Sequence, residues 1–237
     1  MTINGIDIST YNAKQFSVSL DHVEIDNSSE AMPGATVPVL LPGIFGGKTL
    51  TLTLTVHGDA GRKEILKNCS DIVAACRQPV ILELDGFENR FRGALTKVQR
   101  KERSLHRWHL LTLTFYGYEY GDTVTAEGTG AVDISNPGNI NSPAVITIVP
   151  SATAQGVTVT GICPDPRTGA DKQVSMDVTA GRQILIDGYT GIIREGNSNL
   201  PKEIEIEALP AMVPGYNEIV CSDTGAQITA SVIPVYA

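Results

Sequence analysis

In KTLTLTLTVHG, residues 48–58, Leu50, Leu52, Leu54 and Val56 alternate with Thr49, Thr51, Thr53 and Thr55. A period of two puts the aliphatic side chains on one face of a strand and the hydroxyls on the other. The period then changes. In DAGRKEILKNCSDIVAACRQP, residues 59–79, Ile65, Leu66, Cys69, Ile72, Val73 and Cys76 form one stripe at helical spacing. This predicts a single helix with Asp59 as its N-cap and Pro79 beyond its end. One helix is expected to cover one sheet. PVILELDGFENRFRGALTKVQ then reads as two strands about a turn at Asp85 and Gly86, and HRWHLLTLTFYGYEYG as a further strand through Leu111, Leu113 and Phe115.

From GDTVTAEGTGAVDISN onward the helical spacing disappears. Short runs such as AVITIVPS, GVTVTGIC, KQVSMDVTAG, RQILIDGYTGIIREG and AQITASVIPVYA alternate with turn clusters, the pattern of a β-sandwich. NPGNINSPAVITI crowds Asn, Pro and Gly into its first residues, so Asn136 to Pro143 is read as the turn-rich entry to a strand over Ala144–Val149. The expectation is a mainly β protein: residues 1–122 an N-terminal β domain with one helix, residues 123–237 a C-terminal β-sandwich.

Two stretches suggest contacts with other chains. SSEAMPGATVPVLLPGIFGG, residues 28–47, sets Val37, Val39, Leu40, Leu41, Ile44 and Phe45 among Pro and Gly, and reads as an irregular apolar loop. Such a loop folds over its own core or packs on a neighbour. The subunit-contact reading takes these six residues together with Thr51, Thr53 and Thr55, whose hydroxyl face suits a shared sheet or a wet lumen. The tract KVQRKERSLHR holds Lys97, Arg100, Lys101, Arg103 and Arg107 with one Glu. It reads as either a solvated hairpin tip or an electrostatic dock for an acidic partner.

Composition narrows the chemistry. Across 237 residues the formal net charge is -8 and the sequence pI about 5.0, which weighs against a surface that coats nucleic acid. No apolar run approaches the ~18 residues of a membrane span, and MTINGIDIST lacks a signal-peptide layout, so synthesis in the cytoplasm is expected. Cys69, Cys76, Cys163 and Cys221 form no CxxC pair. On a helix Cys69 and Cys76 stand about 10 Å apart, beyond disulfide reach, and all four are read as buried free thiols. No GxSxG, HExxH or phosphate-binding glycine loop occurs. His106 and His109, three apart in an extended segment, point to opposite faces and make no metal pair. Glu203, Glu205 and Glu207 share one strand face, the wet side of a sandwich rather than an acid and base across a cleft. No catalytic residue, cofactor site or metal ligand is expected.

Three motifs in order carry a resemblance: N-x-G-N-x-x-x-P at Asn136–Pro143, an Ile-Asp hairpin strand at Ile186 and Asp187, and L-P-x-x-x-P-G-x-N-x-I at Leu209–Ile219. Behind a helix-bearing β half, this order resembles the distal tail protein family of long non-contractile-tailed phages and prophages. The strand after Pro143 runs into Pro150 where the family pattern has glycine. The resemblance implies a non-enzymatic part of the virion, made in the host cytoplasm and without a membrane anchor. It implies a ring, usually of six subunits, at the tail tip. N-terminal domains would surround the DNA channel, and galectin-like C-terminal sandwiches would hold receptor-binding, tail-fibre or baseplate proteins, with the tail tube protein behind. An acidic chain is expected to give an anionic channel wall that DNA passes without specific binding, unless the wall carries Lys97, Arg100, Lys101 and Arg103. The contrasting reading is a carbohydrate-binding adhesin, which would need Tyr189 or Tyr216 exposed beside convergent polar groups.

Overall fold

The structure, a computed structural model, describes all residues except 24, 27–28, 31–38, 41–43, 78, 105–106, 165–170, 200–203 and 207–208. It divides into two compact units, Met1–Tyr120 with Ala237, and Gly121–Tyr236. Charge divides between them unevenly. Residues 1–120 carry 13 Lys and Arg against 13 Asp and Glu, whereas residues 121–236 carry 5 against 13, so the whole net charge of -8 belongs to the second unit.

The first unit contains β1 (Ala13–Leu20), β2 (Lys48–His57), α1 (Arg62–Ala75), β3 (Val80–Glu83), β4 (Arg90–Ser104) and β5 (Trp108–Tyr120). Its antiparallel sheet runs in the order Ile6–Asp7, Thr2–Ile3, β3, β4, β5, β2, β1. The Leu/Thr alternation of β2 fixes which face is which. Leu54, Leu52 and Leu50 lie directly opposite Leu111, Leu113 and Phe115 of β5, all of them buried, and Ile65, Cys69 and Ile72 of α1 close over them. Each such aliphatic side chain removed from water contributes about 1.5–3 kcal/mol. Gly86 takes a φ of 83° at the turn between β3 and β4, a conformation open to glycine without a Cβ clash.

The helix departs from expectation at its start. Its N-cap is Gly61 with φ 94°, not Asp59, because residues 58–61 form a turn that needs a positive φ at its end. The capping role passes to Glu64, whose carboxylate accepts from the Ala60 N–H at 2.7 Å. Asn68 is also on the buried side, donating to the His57 carbonyl at 3.3 Å.

The second unit contains β6 (Val124–Thr129), β7 (Ala131–Asn136), β8 (Ser142–Val149), β9 (Ala154–Pro164), β10 (Asp171–Val178), β11 (Ile184–Asp187), β12 (Ile192–Glu195), β13 (Gly215–Cys221) and β14 (Gln227–Val232). One sheet is ordered β6, β14, β8, β11, β12 and Ser198–Asn199, and the other β7, β13, β9, β10 and Ile204–Ile206. Ile146, Ile148, Ile186 and Ile228 from the first interdigitate with Ile134, Val159, Val174 and Ile219 from the second in one core, which makes this unit a β-sandwich. Of the thiols, Cys69, Cys76 and Cys221 are free and buried, and burial pushes Cys76 up to about 11; the Cys163 side chain lies outside the described residues. Among the described residues no helix is long and apolar enough to cross a membrane.

The two faces of β2 predict opposite responses to substitution. Leu52→Ala should lower the stability of the first unit by about 2–5 kcal/mol, the cost of a core cavity. Thr51→Val should change it by no more than about 0.5 kcal/mol. Urea unfolding followed by Trp108, the only tryptophan, reads both.

Candidate functional site

The stretch read as an irregular loop is paired in part. Beyond Leu20 and Leu50 the β1–β2 ladder continues through Asp21 N–H to Thr49 C=O at 2.9 Å. It then resumes as Ile25 opposite Phe45, Asp26 opposite Ile44, Ser29 opposite Leu40 and Glu30 opposite Val39. Two short antiparallel pieces thus extend the hairpin as an arm. The sequence pattern missed it because strands of two residues carry no periodicity, and their partners stand 9–20 positions upstream. Val37 and Leu41 lie outside the described residues, and Val39, Leu40, Ile44 and Phe45 are described through their backbone pairing. A two-stranded ribbon is marginal in water without further support.

Thr51, Thr53 and Thr55 share the sheet face opposite α1. Thr53 Oγ1 lies 3.3 Å from Thr112 Oγ1 across the ladder, and Thr55 Oγ1 donates to the Lys14 carbonyl at 3.4 Å. Ser17 and Ser19 of β1 flank them on one side and Thr112 and Thr114 of β5 on the other. The register separates the basic tract, most of which is strand β4 itself rather than a hairpin tip. Lys97 and Lys101 pair with Thr114 and Leu110 and so stand on the threonine face, exposed. Arg100 pairs with Leu111 and stands on the helix face. Arg103 falls in the irregularity between Glu102 and Ser104, and Arg107 follows the undescribed residues 105–106. The five cations therefore do not form one patch.

Arg100 instead joins a network that sequence reasoning missed. Glu102 Oε1 accepts from Arg62 Nη2 at 2.7 Å, with Arg100 Nη2 at 3.5 Å. Arg100 Nη1 stands 3.4 Å from Nδ1 of His109, which is fully buried and whose Nε2 has no hydrogen-bond partner. Burial pushes the His109 pKa below its ordinary value, against the pull of Glu102 and with the help of Arg100 and Arg62. The signal was present in the sequence: in an alternating strand His109 has the parity of Leu111 and Leu113, hence the core face.

In the second unit the three resemblance motifs converge. Asn136, buried, donates from Nδ2 to Ser142 Oγ at 3.2 Å and to Met212 C=O at 3.0 Å, while its Oδ1 accepts from Gly138 N–H at 3.0 Å. Ser142 Oγ also accepts from Val235 N–H at 2.9 Å and donates to Ile140 C=O at 3.2 Å, which completes the valence of a buried hydroxyl. Gly188 N–H donates to Ala144 C=O, and Ala144 N–H to Pro210 C=O. Asn217 closes its own turn, accepting from Val213 N–H and donating to the Val213 and Gly215 carbonyls, each at 2.9 Å. These motifs hold loops together; none offers a nucleophile or an acid–base pair.

Of the sandwich tyrosines, Tyr189 accepts from Ile233 N–H at 2.9 Å and is half-buried, whereas Tyr216 is 66% exposed. Its hydroxyl donates to Asp133 Oδ1 at 2.6 Å, which with burial and nearby acids pushes its pKa up to about 12. Glu205 lies in the strand paired with β10; Glu203 and Glu207 are outside the described residues. His106 is likewise outside them, and among the described residues no three His, Cys, Asp or Glu side chains are grouped to hold a metal ion.

No protein-family model and no curated protein sequence matches this chain. Its fold does match solved structures. The crystal structure of the SPP1 Dit (gp 19.1) protein, described as a paradigm of the hub adsorption apparatus in phages infecting Gram-positive bacteria, aligns with a TM-score of 0.77. Identity is 15%, and the alignment covers 99% of this chain and 98% of that one. A chain of the phage P2 baseplate in its activated conformation with Ca aligns at a TM-score of 0.47 and 11% identity, over 95% and 92% of the two chains. The chain therefore has the SPP1 Dit fold along nearly its whole length, and the resemblance to distal tail proteins is borne out at the level of fold.

The buried His109 carries a pH prediction. Its folded pKa lies below the ordinary value of about 6.5, so the unfolded chain takes up the proton first as pH falls. Stability of the first unit should be flat above about pH 7 and decline below about pH 6.5. His109→Phe should remove that decline. Urea midpoints by Trp108 fluorescence at pH 7.5 and 5.5 read the difference.

Proposed function

We propose that this chain is a structural, non-enzymatic distal tail protein of a phage or prophage. It assembles as a hexameric ring at the tail tip, made in the host cytoplasm and carried in the virion. The observation that carries this reading is the likeness to SPP1 Dit, which spans both units at a TM-score of 0.77. In this reading the chain has two domains, and the first, residues 1–122, is the ring-forming belt around the DNA channel. The second, residues 123–237, is a galectin-like sandwich that holds receptor-binding, tail-fibre or baseplate proteins, with the tail tube protein on the ring's other side.

Physical features favour assembly through the first unit. The arm built from Val39, Leu40, Ile44 and Phe45 and their partners extends an outer hairpin of the sheet, and the subunit-contact reading adds Val37 and Leu41, which lie outside the described residues. A neighbouring subunit would supply what a two-stranded ribbon lacks. Strand β1 ends the sheet and, among the described residues, has no strand paired along its outer side, the form of edge that a closed ring satisfies. Thr51, Thr53 and Thr55 would then lie in the shared sheet. Of the basic tract, Lys97, Lys101, Arg103 and Arg107 remain available for docking, while Arg100 is engaged with Glu102 and His109.

The exposed Tyr216 beside Asp133 favours a second reading, in which the sandwich binds carbohydrate as an adhesin. Glycan-array binding abolished by Tyr216→Ala, with the particle mass unchanged, would support it; an array blank for the unaltered protein removes it.

Assembly is tested by light scattering after size exclusion from low to high micromolar, with negative-stain images. A particle of about six 25.2 kDa chains, ring-shaped, is expected. Leu40→Asp on the arm should shift it toward monomer by tenfold or more in dissociation constant. A monomer throughout, also when mixed with a tail tube protein, overturns the ring.

A further inference from the structure

The arm joins β2 through two glycines, Gly46 and Gly47. The register is the same on either side of them. Leu20 stands opposite Leu50 and Ile25 opposite Phe45, the same number of steps along both strands, so no residue is inserted between the two pairs. The ladder is nevertheless interrupted there. Its last bond before the arm, among the described residues, is Asp21 N–H to Thr49 C=O. In a regular antiparallel pair the amide two positions further along β2, that of Gly47, would point at the strand of residues 21–25. It donates instead to the Tyr116 hydroxyl of β5, at 2.7 Å.

The geometry points to Tyr116 as a latch that positions the arm. Its hydroxyl draws the Gly47 amide out of the ladder and makes Gly46 and Gly47 the hinge on which the arm is set. The hinge is sharply bounded on the sheet side. Lys48 is paired with Gly117 in the β2–β5 ladder, and its buried ammonium is held by Glu119 on the face that α1 covers. Gly47 admits no side chain. A Cβ there would stand 2.7 Å from Tyr116 Cζ and 2.9 Å from the Gly117 carbonyl oxygen; the ring could swing aside, but the backbone could not. Gly46 beside it is exposed, and glycine is free to turn where other residues are not. Tyr116 pairs with Thr49 and so lies on the threonine face, 47% exposed, where a phenylalanine would pack as well. The hydroxyl is therefore the part of this side chain that the bond to Gly47 uses.

Holding the foot of the arm in one orientation lowers the entropy lost when a partner orders it. That consequence rests on the ring proposed above, whereas the latch is a property of the single chain.

Hydrogen exchange of the full chain, read by mass spectrometry on peptides that contain Gly47, tests the latch. Tyr116→Phe keeps the ring and removes the hydroxyl, so the Gly47 amide should exchange about three- to tenfold faster, as for one lost hydrogen bond. Tyr116→Phe and Gly47→Ala should both speed chymotryptic cleavage after Phe45 by a similar factor. Tyr118→Phe, the same change two residues along on the same face, should alter neither rate by more than about twofold. Circular dichroism confirms that each variant is folded. In the particle-mass measurement Tyr116→Phe should raise the dissociation constant several-fold. Exchange at Gly47 unchanged by Tyr116→Phe overturns the latch. So does an equal gain from Tyr118→Phe, which would mark a general loosening of the sheet. A ring indifferent to Tyr116→Phe overturns the positioning role, while a monomeric wild type overturns the ring and leaves the latch to the exchange result.

Discussion

Strand β2 is hydrogen-bonded on both sides, to β5 and to β1, so a slip of one residue would break two ladders and turn four threonines into the core. That double constraint ties the first unit together. With Leu50, Leu52, Leu54 and Val56 held inward, β5 must present Leu111, Leu113 and Phe115 on the same side, and α1 has one surface on which to lie. The threonine face is then what remains, and its neighbours are chosen by register rather than by proximity in sequence. Lys97 and Lys101 arrive there by the same parity that sends Arg100 and Glu102 under the helix.

The second unit is held differently. Its apolar core is ordinary for a sandwich, but its loops are organised by buried polar groups whose hydrogen-bonding capacity is used. Asn136 and Ser142 connect four chain segments, around residues 138–140, 142, 212 and 235. A buried amide that lost one of these partners would carry the full desolvation penalty of the orphaned group, about 1–3 kcal/mol. This accounts physically for why Asn, Ser and Gly stand at those positions, and it makes the motifs marks of architecture rather than of chemistry.

The two units divide the electrostatics: a neutral one with a basic, hydroxyl-rich sheet face, and an acidic sandwich. The hairpin arm and the edge of β1, unpaired among the described residues, are the features of the first unit that bear on assembly, and the likeness to SPP1 Dit is one of fold. The polar clusters that were found, Arg62–Glu102–Arg100–His109 and Asn136–Ser142, are engaged internally.

Patterns of local period were legible in the chain by itself. The Leu/Thr strand, the single helix, the strands of the sandwich and the mainly β class follow from side-chain alternation and turn chemistry, which depend on neighbours within a few residues. The order of three weak motifs was enough to suggest the fold that comparison bears out. Tertiary structure decided what depends on partners far along the chain. Only the register of β4 against β5, with its irregularities near Thr96 and Arg103, could divide a contiguous basic tract between two faces. Only the return of residues 39–45 to residues 25–30 could make an arm of an apparent loop. The helix start moved from Asp59 to Gly61 because a backbone turn, not a side-chain preference, set the entry angle. In each case the deciding energy is a hydrogen bond or a burial between distant segments, which no local window of sequence contains.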